Sequence, residues 1–384
     1  MKIAVVTPIP TPYRDPCWEV LAQQPDVDLT VIYCAAGKND RPWKTDSETF
    51  SYQRLFPRER NLFRTIGWGN SCYWNSGIKP LLKTVSPDVV LVGGYNHLTM
   101  LAAVKYCRRN GIPWVLMCES WKKRAGLAGK LKHGLLKSWL KSAAGVMPTG
   151  VRASANAEYL GVPLESQCRF PNVPDIAALG RQSQDLQARK QEIKHQLGIP
   201  QDNKLLVSAA RMIPKKRPRK VVEAFLKLQQ RGVSLAMIGD GPLKTDVEAM
   251  VDESVCENQI VFPGFLKPNE VHKWMAVADL YLQPSTETWG VAPIEALASG
   301  TPVVLSNDIG CVDDVLCSSV VGRILESPDA EQLSGLLNKW LDELPSYDDV
   351  TVAWQPWAQQ NTYQALADRL SKFLKQNVLG GNKR

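Results

Sequence analysis

The sequence predicts an α/β protein made of two similar, doubly wound domains. The chain has 384 residues, which is more than one hydrophobic core of ordinary size contains. Its composition, 44% hydrophobic and 22% charged residues, is typical of globular proteins that fold and bury a core. Short β-branched runs alternate with longer segments of helical period, a pattern that favours parallel sheets flanked by helices.

The first half of the chain contains five predicted strands. A helix is predicted over Leu98–Arg109, because apolar residues recur at helical spacing and Asn110, Gly111 and Pro113 form a stop signal. This helix lies between two of the strands and completes a β-α-β unit. The strands are Ile3–Val6, Leu29–Tyr33, Val89–Val92, Trp114–Met117 and Val146–Pro148.

The second half repeats this plan with five further strands and helical segments such as Val221–Gln230. Pro171 to Pro174, followed by the polar stretch Arg181–Lys194, is typical of a linker with an entry helix. We therefore predict domains at 1–174 and 175–357, with terminal helices of about 358–384 that pack back on the first domain. The strands are Lys204–Ser208, Ser234–Ile238, Ile260–Phe262, Leu280–Leu282 and Pro302–Leu305.

Only the first domain has a net positive charge. Residues 1–174 hold 23 Lys and Arg against 12 Asp and Glu, a net charge of +11, whereas the remainder carries −3. Within 120–157 there is no acidic residue, and an apolar stripe at Leu127, Leu131, Leu135 and Trp139 lies opposite a lysine-rich face. Two interpretations stay open: a helix that binds an anionic membrane surface, or a core helix with a solvated face. No nucleic-acid motif accompanies the patch, so nucleic acid is not an expected partner.

Several classes of protein are excluded by what the sequence lacks. No apolar run approaches the roughly 20 residues that span a bilayer, and the apolar run before Thr7 is too short for a signal peptide. The nine cysteines form no Cys-x-x-Cys pair, which is typical of reduced thiols in the cytoplasm. The four histidines form no cluster with cysteine, so we expect neither a metal nor another cofactor.

The most informative stretch is Gln283–Val304. A strand ends at Leu282, the loop after it contains Glu287 and Gly290, and a helix is predicted from Val291 to a stop at Gly300. Backbone amides at a helix start bind phosphate, and paired carboxylates accept hydrogen bonds from vicinal hydroxyls. Glu295 lies one turn into this helix, so both carboxylates can contact one ligand at the carboxyl end of a parallel sheet.

A basic loop follows another strand of the same domain. Arg211 and Lys216 are expected to project over the same edge of the sheet, where they can neutralise a diphosphate; a merely solvated loop is the alternative. After the next strand, Gly239 and Gly241 form a tight turn that lets a nucleotide approach the backbone closely.

Four motifs in this order resemble the carboxy-terminal domain of family 4 glycosyltransferases, the retaining enzymes of GT-B fold. They are Arg211 to Lys216, Gly239-Asp-Gly-Pro242, Phe262-Pro-Gly-Phe265 and Pro284-Ser-x-x-Glu287-x-Trp-Gly290-x-x-x-x-Glu295. The resemblance covers roughly residues 200–325 and implies two Rossmann-like domains facing a central cleft.

The resemblance also implies roles for individual residues. Arg211 and Lys216 would hold the donor diphosphate, Glu295 the nucleotide ribose and Glu287 the sugar hydroxyls. The backbone amides of Gly290 and Val291 would help Glu287 to bind the sugar. Where the family has glycine before the arginine and after the lysine, this chain has Ala210 and Arg217. The other motif residues assigned to donor binding are Gly239, Gly241, Phe265 and Trp289.

The amino-terminal domain departs from the family pattern. Its first loop contains three prolines in place of glycines, so Tyr13 and Arg14 are predicted to take over contacts to the donor; a rigid loop with a surface arginine is the alternative. Glu119 stands at a strand end where many relatives place a histidine, and is either a group at the reaction centre or a helix cap. His97 also follows a strand and is a secondary catalytic candidate.

The predicted function is that of a retaining glycosyltransferase. It would move a sugar from a nucleotide sugar to a glycan or lipid-linked acceptor in surface polysaccharide or glycoconjugate biosynthesis, in the cytoplasm or at the inner face of the membrane. One alternative is a nucleotide-sugar epimerase of the same fold, although no histidine-rich set supplies its general base. The other is a catalytically silent subunit that binds nucleotide sugars.

Overall fold

The structure, a computed structural model, describes residues 1–37, 49–58, 60–61, 72–121, 134, 136–229, 231–252 and 260–380. The chain divides into two compact units. The first unit contains Met1–Val173 together with Asn361–Arg384, and the second contains Pro174–Gln360.

The first unit is a parallel sheet with helices around it. Its central strands are almost entirely buried, as expected of β-branched runs that are covered on both faces. The strands are β1 (Lys2–Thr7), β2 (Asp28–Tyr33), β3 (Gln53–Leu55), β4 (Arg60–Asn61), β5 (Tyr73–Trp74), β6 (Val89–Val92), β7 (Trp114–Cys118) and β8 (Gly145–Pro148). The helices are α1 (Asp15–Ala22), α2 (Ile78–Val85), α3 (Leu98–Asn110) and α4 (Val151–Tyr159), with a 3-10 turn at Leu164–Ser166.

The second unit has the same construction. Its strands are β9 (Lys204–Ala209), β10 (Val233–Ile238), β11 (Ile260–Gly264), β12 (Leu280–Gln283), β13 (Val303–Ser306) and β14 (Gly322–Leu325). Its helices are α5 (Ile176–Ala188), α6 (Lys190–Gln196), α7 (Pro218–Leu226), α8 (Lys244–Asp252), α9 (Pro268–Val277), α10 (Ala292–Ala298), α11 (Val312–Val315), α12 (Ala330–Trp340) and α13 (Tyr347–Gln360). The 3-10 turns are Pro214–Lys216 and Leu341–Glu343.

Both main sheets have the strand order of the doubly wound nucleotide-binding fold. The first runs β3-β2-β1-β6-β7-β8 and the second β11-β10-β9-β12-β13-β14, and all these pairings are parallel. The order reverses between β1 and β6 and again between β9 and β12. In such sheets, ligands bind at the carboxyl ends of the strands beside this reversal.

The predicted strands are confirmed, each to within two residues at either end. Two strands of the main sheets were not predicted: β3, which is the polar tripeptide Gln-Arg-Leu, and β14, an edge strand that begins with glycine. The predicted bounds of two helices were wrong. The helix expected over Val221–Gln230 is α7, which begins at Pro218 because proline fits the first turn of a helix. The stretch Arg181–Lys194 lies within α5 and α6, and α5 begins earlier because Asp175 caps it.

The carboxy-terminal helix belongs to the first unit. Helix α14 (Tyr363–Phe373), followed by a π-helical segment at Leu374–Leu379, packs against α1. Its buried face contains Leu366 and Leu370. Thr362 caps its start by accepting a hydrogen bond from the backbone of Ala365.

Much of the basic segment of the first domain, residues 122–133 and 135, lies outside the described residues. Residues 136–140 are helical, and Leu136 and Leu140 are buried in the core of the first unit. Trp139 packs against Trp114, with 4.7 Å between the ring centroids. The described end of this segment is therefore a core helix. In the part of the chain that the structure describes, no helix is both long and apolar enough to cross a bilayer.

Candidate functional site

Lys216 and Glu287 form an ion pair at the carboxyl edge of the second sheet. Lys216 ends the 3-10 turn that follows β9, and Glu287 lies in the loop after β12, so the pair bridges the two strands beside the reversal. Their side chains are 18% and 16% exposed. The exposed Lys215 lies farther away, with 3.9 Å from its Nζ to Glu287 Oε2. The structure thus brings together two of the residues that the sequence predicted for one site.

A row of hydrogen bonds between side chains at alternate positions ends at the carboxylate of Glu287. The Tyr281 hydroxyl donates to Gln283 Oε1 at 2.8 Å, Gln283 Nε2 donates to Ser285 Oγ at 3.0 Å, and Ser285 Oγ donates to Glu287 Oε1 at 3.4 Å. Because side chains of an extended strand alternate between its faces, this row continues one face of β12 beyond the strand end. Tyr281, Gln283 and Ser285 are buried, so the row fixes the position of the carboxylate.

Arg217 ties three loops together. Its Nη1 donates to the carbonyl oxygen of Pro284 at 2.7 Å, and its Nη2 to Asp308 Oδ2 at 2.9 Å. Its backbone has φ of +54°, a left-handed conformation that favours glycine, which is the residue that the family resemblance leads one to expect there. The backbone of Glu287 donates to the carbonyl of Asp308 at 3.2 Å. Arg217 therefore replaces the expected glycine with a clamp on the loop that carries Glu287.

Glu295 lies in the first turn of α10, as its sequence position predicted. Burial raises the pKa of its carboxyl to about 7. The buried hydroxyl of Tyr281 has a pKa far above its usual value, first because of burial and then because of the charges of Glu295 and Glu287. Both carboxylates therefore act on the same buried tyrosine.

Gly290 allows the Glu287 loop to lie against the loop that follows β13. Its φ is +107°, and a Cβ atom at this position would lie 2.8 Å from Ile309 Cγ2. The backbone of Cys311 donates to the carbonyl of Trp289 at 3.0 Å, which holds the two loops together. A side chain at position 290 would separate them.

Packing within the protein itself requires the two glycines of the turn after β10, Gly239 and Gly241. Their φ values are +133° and +154°, and added Cβ atoms would lie 2.0 Å from the carbonyl oxygen of Ala210 and 2.6 Å from that of Met212. These carbonyls belong to the basic loop after β9. The glycines thus bring the β10 turn against that loop, whereas the sequence interpretation attributed them to close approach by a nucleotide.

The remaining predicted donor residues of the second unit are spread along the same edge. Arg211 is exposed in the loop after β9, and Phe265, directly after β11, is 69% exposed. Trp289 is buried, and Val291 is the N-cap residue of α10. Within the described ranges, no group of three His, Cys, Asp or Glu side chains is placed to hold a metal ion.

Glu119 follows β7 at the carboxyl edge of the first sheet. It is exposed, and its Oε1 accepts a hydrogen bond from Asn172 Nδ2 at 2.7 Å. The segment that it was alternatively expected to cap begins outside the described residues. The bond to Asn172 holds one oxygen of the carboxylate, and the residue remains accessible to a ligand.

His97 has partners within the fold. It is the N-cap residue of α3 and is buried, its Nδ1 accepts a hydrogen bond from the backbone of Tyr73 at 3.3 Å, and its ring packs on that of Tyr73. These contacts give His97 a structural role in joining α3 to β5. Tyr13 is half-buried in the proline-rich loop, and the alternative interpretation of a surface arginine beside it was wrong, because Arg14 is buried.

Sequence reasoning missed several residues that shape the site. Arg217 was noted only as a departure from the family pattern, and Asp308 was not considered. The row of Tyr281, Gln283 and Ser285 was also missed. Its signal was available, since polar residues at every second position beyond a buried strand indicate a face that continues into the loop.

The two Rossmann-like units have the fold of GT-B glycosyltransferases. The structure of Anabaena HepE in complex with UDP matches this chain with a TM-score of 0.74 at 16% sequence identity. The match covers 98% of this chain and 100% of the HepE chain. HepE in complex with UDP-glucose gives a TM-score of 0.70 at 17% identity, covering 98% and 100%.

Residues 189–353 match the model of the family described as glycosyl transferases group 1. The chain is 28% identical over 258 residues to 2-deoxystreptamine glucosyltransferase of Streptomyces kanamyceticus, covering 64% of this chain and 65% of the relative. It is 32% identical over 121 residues to alpha-monoglucosyldiacylglycerol synthase of Streptococcus pneumoniae, covering 31% and 27%. The chain thus matches less than two thirds of the length of either relative.

Proposed function

We propose that this chain is a retaining glycosyltransferase that transfers a sugar from a nucleotide-sugar donor to a glycan or lipid-linked acceptor. Residues 175–357 hold the donor, and residues 1–174 supply the acceptor side. The observation that carries this proposal is the contact between Lys216 and Glu287 at the strand reversal of the second sheet.

A glycosyl phosphate presents two kinds of group a few bonds apart. Its phosphate oxygens are anionic, and its sugar hydroxyls are hydrogen-bond donors. Lys216 suits the phosphate and Glu287 suits the hydroxyls, and because these two side chains touch, one donor can contact both. Glu295 then accepts hydrogen bonds from the ribose of the same nucleotide.

In the proposed reaction, the bond between the sugar C1 and the diphosphate oxygen breaks, and the electron pair leaves with the diphosphate. The acceptor oxygen forms the new bond to C1, and its proton passes to the departing diphosphate oxygen. Negative charge grows on the diphosphate as the bond breaks, and Lys216 and Arg211 stabilise it there. Positive charge develops at C1, as in other glycosyl transfers, and Glu119 is the carboxylate that we assign to it.

The names of similar proteins guide the choice of substrates. HepE is described with UDP and with UDP-glucose, so UDP-sugars are the first donors to test. The relatives include a synthase named for glucosyldiacylglycerol and a putative colanic acid biosynthesis glycosyltransferase of Salmonella typhimurium. These names support a lipid-linked or glycan acceptor in surface polysaccharide synthesis, and we propose that the reaction takes place at the cytoplasmic face of a membrane.

The test combines nucleotide binding with product release. The melting temperature of the protein is measured with UDP, GDP and ADP and with their sugars, since a ligand that binds only the folded state raises it. The release of free nucleoside diphosphate from the bound donor is then followed with and without acceptor. We expect one nucleotide class to bind and its diphosphate to be released. An unresponsive protein would refute the proposal.

The two alternatives give different products. An epimerase would change the sugar while leaving it attached to the nucleotide, and a silent subunit would bind the donor and release nothing. Lys216→Ala is expected to lower turnover more than donor affinity, because the charge of the diphosphate grows only as the bond breaks. Lys215→Ala is the matched control, since Lys215 is exposed and lies beside the same carboxylate at 3.9 Å.

A further inference from the structure

A buried arginine stands in the proline-rich loop after β1. Arg14 is 9% exposed and is the N-cap residue of α1. Its guanidinium lies over the ring of Phe170, 4.8 Å from the centroid, and Phe170 stacks on Trp18 with 5.5 Å between centroids. Both aromatic rings are almost wholly buried. The position of the guanidinium is therefore fixed by packing, before any ligand binds.

The charge of Arg14 has no direct partner in the described part of the first unit. Nη1 is buried without a hydrogen-bond partner there, and no ion pair of Arg14 occurs among those residues. Asp15, the next residue, accepts a hydrogen bond from the Tyr33 hydroxyl at 3.0 Å and lies 3.9 Å from Arg54. Burial lowers the pKa of Arg14 to about 10, and the more distant charge of Glu119 opposes this shift. The group is thus a cation at neutral pH, and a buried cation without a partner is costly to keep.

Two hydroxyls near the same sheet edge also lack partners. Thr11 Oγ1 lies in the Arg14 loop and Thr149 Oγ1 directly follows β8, and both are buried without a hydrogen bond in the described structure. The backbone of Thr149 donates to the carbonyl of Cys118 at 3.1 Å, beside Glu119, and the backbone of Phe170 donates to the carbonyl of Pro148 at 2.8 Å. Backbone bonds thus connect the Thr149 region with the ring below Arg14.

The end of β6 leaves room for the Arg14 loop to cross it. A Cβ atom at Gly93 would lie 3.0 Å from the carbonyl oxygen of Val6 and 3.2 Å from Pro8 Cδ. The absence of a side chain here lets the start of the loop after β1 lie against the end of β6. Arg14, Thr11 and Thr149 thus all lie at the carboxyl edge of this sheet, each with a buried polar side-chain atom that has no hydrogen-bond partner among the described residues.

We propose that Arg14, with the hydroxyls of Thr11 and Thr149, forms a binding site for an oxyanion of a substrate, a phosphate or a carboxylate. A guanidinium and two hydroxyls are donors that suit such a group. This inference rests on the proposed function, because the anion belongs either to the donor diphosphate or to an acidic acceptor.

The test uses inorganic phosphate as the probe and the full chain. Melting temperatures are measured in phosphate and in chloride at equal ionic strength for the wild type, for Arg14→Met and for the control Arg109→Met, which alters an exposed arginine in the last turn of α3. We expect phosphate to raise the melting temperature of the wild type and of the control. In Arg14→Met most of this rise should be absent. Without phosphate, Arg14→Met should melt no lower than the wild type, because it removes a buried charge that has no ion pair among the described residues. A variant with the wild-type response to phosphate would overturn the proposal.

If Arg14→Met does not fold, Arg14→Lys decides the question. Lysine keeps the charge but loses the fork of donors, so phosphate affinity measured by titration calorimetry should fall by about tenfold. Unchanged affinity would overturn the proposal as firmly as an unchanged melting response.

The source of the anion is identified by repeating the phosphate titration with a saturating nucleoside diphosphate. If the Arg14-dependent effect disappears, the site binds the donor diphosphate; if it persists, the site binds an anionic group of the acceptor. Failure of this proposal is distinct from failure of the proposed function. In the first case nucleotides still bind and Arg14 variants respond to phosphate like the wild type, whereas in the second no nucleotide binds.

Discussion

Glu295 differs from an ordinary surface carboxylate because burial raises its pKa to about 7. In the unfolded chain, the pKa of a glutamate is about 4.3, so the folded state holds this proton more tightly. The stability that Glu295 contributes is therefore fully present below about pH 4.3 and is lost as the pH rises through about 7. A ligand that donates hydrogen bonds to the carboxylate favours the ionised form and opposes this trend.

We predict that nucleotide affinity rises as the pH increases through about 7 and becomes level at higher pH, because ribose hydroxyls bind the carboxylate more strongly than the neutral acid. In Glu295→Gln this rise should disappear, and affinity should be lower at pH 8. Calorimetric titration over a pH series measures both effects. The pH dependence that comes from titration of the nucleotide phosphate is the same in the wild type and the variant, so the difference between the two profiles belongs to Glu295. An identical pH profile in the variant would remove Glu295 from the binding site.

For Glu119 we predict that replacement with glutamine abolishes most of the transfer activity while donor binding stays intact. Glutamine keeps an oxygen that can accept the hydrogen bond from Asn172, so the substitution removes charge with little change in shape. The measurements are turnover and melting temperature. Near-normal turnover would show that the charge is not needed at the sugar carbon, whereas a lower melting temperature with normal turnover would indicate a structural role.

The residues that could be predicted from the sequence are those with a motif. Glu287, Glu295 and Lys216 have a recognisable spacing, and the structure places them at one sheet edge. Arg217 and Asp308 could not be predicted, because their contact joins two loops that are 91 residues apart. The burial of Arg14 was equally hidden, since the ring that it packs on, Phe170, belongs to a later segment whose backbone bonds to the end of the edge strand β8.

At the level of elements, the predicted strands were confirmed because a strand buried on both faces needs a continuous apolar run, and such runs are plain in the sequence. The short edge strand β3 has no such run. It forms because the exposed side of β2 offers backbone partners to any extended segment. The loops of the site are fixed by backbone contacts between neighbouring strand ends, and sequence patterns do not report these contacts.

The clamp formed by Arg217 belongs to this level, because it joins the loops after β9, β12 and β13. We predict that Arg217→Lys weakens donor binding by about fivefold, since lysine cannot donate to Pro284 and Asp308 in the same fork, a loss of about 1 kcal/mol for partly exposed groups. The folded structure should persist, as judged by melting temperature. Arg219→Lys is the control, because Arg219 is an exposed arginine that pairs with Asp246 alone among its described contacts. Equal donor affinities in the two variants would show that the clamp does not position Glu287.

At the level of the whole molecule, the two units carry opposite charges. With its carboxy-terminal segment, the first unit holds 28 basic and 13 acidic residues, a net charge of +15, while the second holds 18 and 25, a net charge of −7. Proteins with such an asymmetry are attracted to anionic surfaces through one side. Such an attraction would bring the protein to the proposed lipid-linked acceptor, which presents its sugar at a membrane.

Attraction to a membrane would rest on charge more than on aromatic anchors. Trp139 packs on Trp114, and Trp121 is covered by Arg152 at 4.8 Å, so both tryptophans of the basic segment are engaged within the first unit. A juxtaposed lysine contributes on the order of 1 kcal/mol near an anionic surface, and salt screens this contribution. Binding that depends on lysines alone should therefore be reversible and strongly sensitive to salt.

We predict that the protein floats with liposomes that contain anionic lipid at low salt, and that it dissociates at high salt or from neutral liposomes. Replacing Lys122, Lys123, Lys130 and Lys137 with glutamate should abolish flotation, since it reverses the charge of the segment. In the control variant, glutamate replaces Lys227, Lys267 and Lys339, which are exposed lysines of the acidic second unit. This variant should float as the wild type does. If the wild type stays in solution at low salt, or if the first variant floats as well as the control, the basic segment is a solvated face and a soluble acceptor is the better candidate.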